Sequence, residues 1–233
     1  TDAVVNIFLY AIGSVSTALT FTYTVGSGHT ASDLDYTSTS ALALNSGTIR
    51  DATGNAATLT LPSPGASNSL GANKALVVDG VVPTVSSVTS STANGAYKAG
   101  AAISVQVNFS ESVTVSGTPQ LTLETGGTDA VVNYASGSGG TALTFTYTVG
   151  SGHTSADLDY TSTSALALNG GTIKNAANNA AILTLASPGA SNSLGANKAL
   201  VVDTTVPTVS SVTSSTANGT YKVGDAISIQ VTF

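Results

Sequence analysis

The sequence predicts an all-β protein made of tandem β-sandwich repeats of immunoglobulin-like type, one complete and two partial. Three observations indicate this fold: many short segments in which apolar and polar residues alternate, turn residues between those segments, and a long internal duplication. The composition agrees, because Val and Thr branch at Cβ and suit pleated sheets. Charged residues make up only 8% of the chain, against roughly 25% in an average domain.

The duplication has the size of a whole domain. Residues 20–79 match residues 144–203 at 51 of 60 positions, and residues 82–109 match residues 206–233 at 23 of 28, both with an offset of 124 residues. A period of this length exceeds that of solenoid repeats and fits an independent domain.

The matches divide the chain into three parts. They are an N-terminal segment, 1–79, that is the C-terminal part of a repeat without its early strands; a central repeat, 80–203, that is complete; and a C-terminal segment, 204–233, that holds the first strands of a further repeat. The chain begins without Met or a signal peptide, so we expect it to be a piece of a longer protein.

The first half of the central repeat alternates clearly. The segment Thr84–Ser90 predicts a strand, and Asn94-Gly95 predicts a turn. In the segment Ile103–Phe109, every second residue is apolar, which predicts a strand with one buried face. Two short strands follow, at Val113–Val115 and Gln120–Glu124, on either side of a Gly and Pro turn.

The second half predicts a hairpin and several shorter strands. The hairpin joins Ala130–Tyr134 to Ala142–Val149 across the turn S-G-S-G-G. Later strands are marked by isolated apolar residues: Leu158, Tyr160, Ile173, Ile182, Leu183 and Leu185. The segment Ala199–Asp203 closes the repeat, and the stretch 176–181 has room for one helical turn. Seven to nine short strands separated by turns are typical of an immunoglobulin-like sandwich.

Four motifs resemble the bacterial Ig-like tandem repeats of very large surface adhesins. They are V-D-T-T-V-P-T-V (202–209), Y-K-V-G-D-A-I-S-I-Q-V-T-F (221–233), F-S-E-S-V-T-V-S-G-T-P-Q-L-T-L (109–123) and G-T-I-R-D-A-T-G-N-A-A (47–57). The resemblance covers the chain except residues 7–16. It implies non-catalytic, rod-forming modules at the bacterial cell surface or outside the cell, often stiffened by Ca²⁺ between neighbouring repeats.

Composition excludes several classes of function. The chain has six Lys and Arg residues, which are not clustered, and a net charge of −6, so we expect no nucleic-acid partner. Without Cys there are no disulfides and no thiolate chemistry. No apolar run approaches the roughly 20 residues that span a bilayer, so we expect no membrane span.

Carboxylates near the repeat junctions are the candidate calcium ligands. Ca²⁺ binds six to eight oxygen atoms, and the candidates here are Asp79, Glu111, Asp203 and Asp225. The first strands of the central repeat carry Ala101 at the position where the C-terminal segment carries Asp225, so the two junctions differ. The alternative is that these are solvated surface carboxylates.

Other polar motifs are expected to be structural. The motif D-L-D-Y, at 33–36 and 157–160, predicts a strand whose Asp side chains share a solvent-exposed face. Asp51 is expected to stabilise a turn, and its copy is Asn175, which argues against a catalytic or metal role at that turn. His29 and His153 lie in G-S-G-H-T turns. We predict no catalytic residues.

Two functions remain open. The first is a structural spacer or stalk in a bacterial adhesin or surface fibre. The second is a module that binds a glycan or host-surface protein through an acidic face or through residues 7–16, which replace the glycine-rich residues 134–140 of the central repeat. The candidate contact residues in that stretch are Ile7, Phe8, Leu9, Tyr10 and Ile12.

The apolar stretch 7–16 has three interpretations. It is an exposed loop that contacts a partner, a segment that folds over a core face left open by missing strands, or engineered or uncertain sequence. We expect it to be buried against protein, because contiguous exposed apolar residues promote aggregation.

The partial repeats are expected to complement each other between chains. Segment 204–233 of one molecule would supply early strands to segment 1–79 of the next by strand addition. Head-to-tail repetition without ring closure would produce a filament. The competing hypothesis is that the chain is a section of a longer natural array.

Overall fold

The computed structural model describes residues 10–12 and 16–233, and in this part the protein is all-β apart from two single helical turns. The strands are β1 (Tyr10–Ile12), β2 (Thr20–Phe21), β3 (Thr30–Ala31), β4 (Val78–Asp79), β5 (Val85–Ser90), β6 (Gly95–Tyr97), β7 (Ala102–Ser116), β8 (Gln120–Leu123), β9 (Ala130–Ser136), β10 (Gly140–Thr148), β11 (Thr154–Ser155), β12 (Leu166–Ala167), β13 (Thr172–Lys174), β14 (Leu200–Asp203), β15 (Ser211–Ser214) and β16 (Ile229–Thr232). The helices are α1 (Leu70–Asn73) and α2 (Leu194–Asn197).

The central repeat is built on two sheets. The larger has the strand order β12-β8-β9-β10-β7-β13, with β5 also paired to β7, and its pairs are antiparallel. The smaller has the order β11-β14-β6, in which β14 runs antiparallel to β11 and parallel to β6. Both sheets contribute to one core, because side chains of β6 and β14 pack in the same apolar cluster as those of β7 and β10.

Strand β7 is the longest element and organises the repeat. Its first half pairs with β5 on one edge and β10 on the other, and its last three residues pair with β13. The predicted alternation is confirmed, since Ile103, Val105 and Val107 are fully buried while the residues between them are partly exposed. Burying a side chain of this size stabilises a fold by about 1.5–3 kcal/mol.

The predicted β9–β10 hairpin is present, and its turn requires glycine. Gly137 has φ of 109°, and a Cβ atom there would lie 2.0 Å from the carbonyl oxygen of Ala142. The turn could therefore not accept a side chain at this position without moving the neighbouring strand.

The helical turns lie elsewhere than the sequence indicated. Residues 176–181 form a turn and an extended segment, whereas both copies of the sequence S-L-G-A-N form a single α-helical turn. In each copy the serine is the N-cap, and its side chain accepts a hydrogen bond from the backbone N–H three residues later. Neither helix of the described chain is long enough to cross a membrane.

The N-terminal segment forms two short strand pairs. Strand β1 pairs with β2, with Tyr10 opposite Phe21, and this corresponds to the pairing of Tyr134 with Phe145 between β9 and β10. Strand β3 pairs with β4. The N-terminal segment has a small apolar core with Leu34 and Val78 at its centre.

The C-terminal segment forms one hairpin. Strand β15 pairs with β16 so that Val212 lies opposite Val231, the same register in which Val88 lies opposite Val107. Every residue of the two strands is exposed.

Candidate functional site

A buried asparagine brings two of the candidate calcium ligands together. The side-chain Nδ2 of Asn175 lies 3.0 Å from Oδ2 of Asp79 and 3.3 Å from Oε2 of Glu111. It also lies 3.1 Å from the carbonyl oxygen of Val81. Together with Asn179, these residues are called the junction cluster below. The cluster joins the end of β4, the middle of β7 and the turn after β13.

The orientation of Asn175 is fixed by its own turn. Its Oδ1 accepts hydrogen bonds from the backbone N–H groups of Ala177, at 3.1 Å, and Asn179, at 2.9 Å. The oxygen is thereby occupied, so the NH₂ group faces the two carboxylates. An apolar residue at this position would remove the amide donor that faces Asp79 and Glu111.

Asn179 extends the contact to the linker backbone. Its Nδ2 donates to the carbonyl oxygen of Asp79, at 2.8 Å, and to that of Val81, at 2.9 Å. The turn 175–179 therefore holds residues 79–81, where the N-terminal segment passes into the central repeat. Two side chains of one turn fix the linker against the body of the central repeat.

The charge of the junction cluster is incompletely compensated. Glu111 Oε1 is buried and has no hydrogen-bond partner. The NH₂ group of Asn175 has two hydrogen atoms for three oxygen neighbours. A buried polar atom without a partner costs about 1–3 kcal/mol, and more when it is charged.

The oxygen atoms of the junction cluster are of the type that a hard cation binds, and the NH₂ group of Asn175 now lies among them. Two carboxylates and two backbone carbonyls supply only oxygen atoms, which is the ligand type that Ca²⁺ prefers. The unpartnered Glu111 oxygen is available as a further ligand. In the described part of the chain no three His, Cys, Asp or Glu side chains lie in one group, so backbone carbonyl oxygens would have to complete such a site.

The other two candidate ligands lie in local turns. Asp203 accepts a hydrogen bond from the backbone N–H of Thr205, at 2.9 Å. Asp225 accepts one from the backbone N–H of Lys222, at 2.9 Å. The structure does not bring either of them into a carboxylate cluster among the residues it describes.

Sequence reasoning missed Asn175 and Asn179. The replacement of Asp51 by Asn175 suggested a dispensable turn residue, whereas Asn175 is buried and connects three elements. Asp51 is exposed and bonds only within its own turn, to Thr53 and Asn55. Hydrogen bonds from the Asn55 and Thr53 side chains lower the pKa of Asp51 to about 2. The available signal was that this turn differs between the copies at three of its five positions, with Asp51 replaced by Asn175.

The D-L-D-Y motif does not form an exposed strand face. Asp159 is buried and accepts hydrogen bonds from the backbone N–H groups of Tyr160 and Gly189, both at 2.9 Å. The carboxylate also packs closely against α2, since a Cβ atom on Gly195 would lie only 3.0 Å from Oδ2 of Asp159. The carboxylate therefore organises the loop that precedes α2 instead of facing water.

The equivalent carboxylate in the N-terminal segment has the same contacts. Asp35 accepts from the backbone N–H groups of Tyr36, at 2.9 Å, and Gly65, at 3.0 Å. Burial raises its pKa, but the hydrogen bonds from Gly65 and Tyr36 outweigh that effect and leave the pKa below its ordinary value.

Each histidine is held by a tyrosine. The Tyr147 hydroxyl lies 2.8 Å from Nδ1 of His153, and the two rings stack with centroids 5.9 Å apart. Tyr23 and His29 repeat the arrangement at 2.7 Å. In both copies the same Nδ1 accepts a hydrogen bond from the backbone N–H of the glycine three residues earlier. The histidines therefore brace their turns, as the sequence suggested.

The predicted partner-contact stretch lies largely outside the described residues. Ile7, Phe8 and Leu9 are outside them, and only the backbone of Tyr10 and Ile12 is described, as part of β1. Their predicted role as contact residues stays a prediction.

Comparison with protein-family models, with curated proteins and with solved structures gave no match to this chain.

Proposed function

We propose that this chain is a non-catalytic structural repeat of a bacterial extracellular adhesin or surface fibre, in which immunoglobulin-like sandwiches act as a spacer or stalk. One observation carries the proposal: the duplication preserves bonds that brace the fold. The Tyr36 and Tyr160 hydroxyls donate to equivalent carbonyls 26 residues later, and the Tyr–His pairs are likewise repeated. A spacer needs the same framework in every copy and no unique pocket.

The junction cluster supports the spacer function, since a spacer acts through length and stiffness. Asn175 and Asn179 hold the linker at Asp79 and Val81 by bonds to both side-chain and backbone atoms. A linker bonded at several points bends less than a free one, because each bond must break before the neighbouring bodies reorient. The stiffness proposed here therefore resides in the turn 175–179.

Calcium is part of this proposal. Ca²⁺ would be held by Asp79 and Glu111, and by the backbone carbonyl of Val81, and would neutralise the two carboxylates. We expect a chelator to lower the unfolding midpoint of the wild-type chain and added Ca²⁺ to restore it. Glu111→Gln should abolish the response. An unchanged midpoint in the wild type would remove calcium from the proposal without affecting the spacer function.

A second candidate function is a module that binds a glycan or protein. The observation that favours it is the apolar stretch 7–16, which occurs in one copy of the repeat only. A binding function needs such a unique feature, whereas a spacer does not.

Binding of the labelled full chain to glycan and host-protein arrays separates the two candidates. The spacer function predicts no saturable binding to any member. Saturable binding that is lost in the double variant Phe8→Asp and Leu9→Asp, and kept in a control with Val131→Asp, would favour the binding module. Val131 is an exposed apolar residue of β9, so the control makes the same kind of change, apolar to Asp, in another part of the sequence.

A further inference from the structure

Two linkers of the chain begin in the same way. The first linker follows Asp79, at the end of β4, and the second follows Asp203, at the end of β14; β4 pairs with β3 in the register in which β14 pairs with β11. The Oδ1 atom of each aspartate accepts a hydrogen bond from the backbone N–H two residues later, at 3.0 Å in the first linker and 2.9 Å in the second. The residue between these shared contacts is Gly80 in the first linker and Thr204 in the second.

In the first linker the backbone binds the turn 26–29, which is called the histidine turn below. The N–H of Gly80 donates to the carbonyl oxygen of His29 at 2.7 Å, and the carbonyl oxygen of Gly80 accepts from the N–H of Gly28 at 2.8 Å. A Cβ atom on Gly80 would collide with the carbonyl oxygen of Gly26. This close approach of two backbones therefore requires glycine.

In the second linker a side chain makes the corresponding bonds to the copy of this turn. The Thr204 hydroxyl accepts from the N–H of Gly152 at 3.1 Å and donates to the carbonyl oxygen of His153 at 2.9 Å. In the described part of the chain no backbone hydrogen bond joins Thr204 to this turn. One hydroxyl, which can both donate and accept, thus takes the place of the backbone N–H and carbonyl of Gly80.

The turn that receives these bonds is the same in both copies. Its sequence is V-G-S-G-H-T at 25–30 and again at 149–154. In each copy the histidine ring binds a tyrosine hydroxyl and a glycine N–H through Nδ1. The difference in bonding therefore follows the linker residue, since the turn that it meets is unchanged.

We propose that the residue after the junction aspartate sets the direction in which the chain leaves each repeat. Gly80 lets the linker backbone lie directly on the histidine turn. Thr204 places its side chain between the backbone and the turn, so the linker backbone lies further out. A chain that carries both residues has two kinds of junction, and neighbouring bodies are oriented differently at each.

The consequence for a stalk rests on the proposed spacer function. A spacer with both kinds of junction changes direction from one junction to the next instead of repeating a single angle. The choice between backbone and side-chain bonds does not rest on that function, because it concerns only the linker residue and the turn beside it.

Amide hydrogen exchange followed by NMR tests the bonds in the wild-type chain. The amide of Gly80 should exchange slowly, because it donates to His29. The amide of Thr204 should exchange about tenfold faster or more, because only its side chain binds the turn. Equal protection of the two amides would overturn the proposal.

The variant Gly80→Thr should change the first linker into the second kind. The amide at position 80 should lose its protection about tenfold or more, whereas the amide of Gly28 should keep it, since the introduced hydroxyl accepts from that N–H as Thr204 accepts from Gly152. Protection retained at position 80 would contradict the proposed exchange of backbone for side chain.

The matched control Gly80→Ala adds the Cβ atom without the hydroxyl. The amides at position 80 and at Gly28 should both lose protection, because neither the backbone nor a side chain then binds the turn. Gly80→Ser, which restores a hydroxyl, should protect Gly28 again. Protection of Gly28 that is the same in the Ala and Ser variants would show that the hydroxyl does not replace the backbone bonds, and would overturn the proposal.

Distances between spin labels test the direction of the first linker. The labels are placed on exposed residues of the two bodies, at Thr60→Cys and Asp129→Cys, in a chain that has no other Cys. Adding Gly80→Thr should shift the mean distance by about 3 Å or more, on the order of the rise of one strand residue, because the backbone must move off the turn. An unchanged mean would overturn the change of direction.

The same measurement separates this inference from the proposed function. The direction of the linker appears in the mean of the distribution, whereas the stiffness of a spacer appears in its width. A broad distribution in the labelled parent would contradict a stiff spacer, while the exchange of the amides at positions 80 and 204 would still decide which bonds hold each linker.

Discussion

The difference between Asp51 and Asn175 shows how one residue changes the role of a turn. In both turns Oδ1 accepts hydrogen bonds from the backbone N–H groups two and four residues later. The second side-chain atom differs: Asp51 Oδ2 accepts from Asn55, whereas Asn175 Nδ2 donates across to Asp79 and Glu111. The substitution also leaves Asn179 free to bind the linker backbone.

Asn175→Asp is expected to destabilise the central repeat. The variant keeps the Oδ1 contacts but places a third carboxylate beside Asp79 and Glu111, so we expect a loss of about 2–4 kcal/mol in the free energy of unfolding in the presence of chelator. If the junction cluster binds calcium, added Ca²⁺ should restore part of the lost stability. Urea unfolding measures the free energy of unfolding with chelator and with Ca²⁺. The control Asn178→Asp, at an exposed position of the same turn, should change the free energy by less than about 0.5 kcal/mol.

Tyr160 is expected to make stability depend on pH in the alkaline range. Burial, with a smaller effect of the Asp159 charge, raises its pKa to about 12, and its hydroxyl donates to the carbonyl oxygen of Ala186 at 2.6 Å. The folded-state pKa of Tyr160 exceeds the ordinary value of 10.0. The contribution of the protonated hydroxyl to the free energy of unfolding is therefore complete below pH 10 and is lost as the pH rises toward 12.

The test compares unfolding of the wild type and Tyr160→Phe between pH 8 and 12. The variant should lose about 1 kcal/mol at pH 8 and show a weaker decline above pH 10. Tyr36→Phe, which removes the equivalent hydroxyl from the N-terminal segment, should leave unfolding of the central repeat unchanged. Equal slopes in wild type and Tyr160→Phe would contradict the assignment.

At the scale of elements, packing of strand β7 against its neighbours determines which residues are buried in the core. It carries the clearest alternation in the sequence and pairs with β5, β10 and β13. Its counterpart β16 is not packed, and the apolar residues Ile229 and Val231 at the matching positions lie in water. A closely similar segment therefore contributes different amounts of stability in the two copies.

Leu200→Ala and Leu76→Ala test this directly. Leu200 is fully buried between the two sheets, so its truncation should cost about 2–5 kcal/mol in the free energy of unfolding. Leu76 is half exposed in the single chain, so the same truncation should cost less than about 0.5 kcal/mol at low protein concentration. Chemical denaturation at micromolar concentration makes the comparison. Equal costs would mean that the N-terminal segment is covered in the monomer.

The sequence predicts the long elements well and the short ones poorly. Alternation over 103–109 and 142–148 is strong because each strand has one buried face, and β7 and β10 follow it. The single turns α1 and α2 escape detection, because four residues are too few to show helical periodicity. The burial of Asp159 also escapes it, since the N–H of Gly189 that the carboxylate binds lies 30 residues away.

The candidate site was predictable in part. Asp79 and Glu111 could be proposed from their positions near the junction, because carboxylates are the usual ligands of calcium. Asn175 and Asn179 could not, because Asn is common in turns and only the folded chain shows that this turn meets the linker.

At the scale of the molecule, the proposed spacer is a series of all-β bodies joined by linkers that hydrogen bonds hold in place. The turn 175–179 is proposed to stiffen the junction at residues 79–81. A spacer with a free linker would transmit neither length nor direction along a fibre, whereas a bonded linker transmits both.

The most direct test is the distance distribution between spin labels on exposed residues of the two bodies, Thr60→Cys and Asp129→Cys, measured at low protein concentration. We expect one narrow distribution, and a clearly broader one when Asn175→Ala and Asn179→Ala are added. Replacing the exposed Ala176 of the same turn by Ser should leave it narrow, because Ala176 does not need a positive φ. A broad distribution in the parent, or an unchanged width after removal of both side chains, would contradict the account.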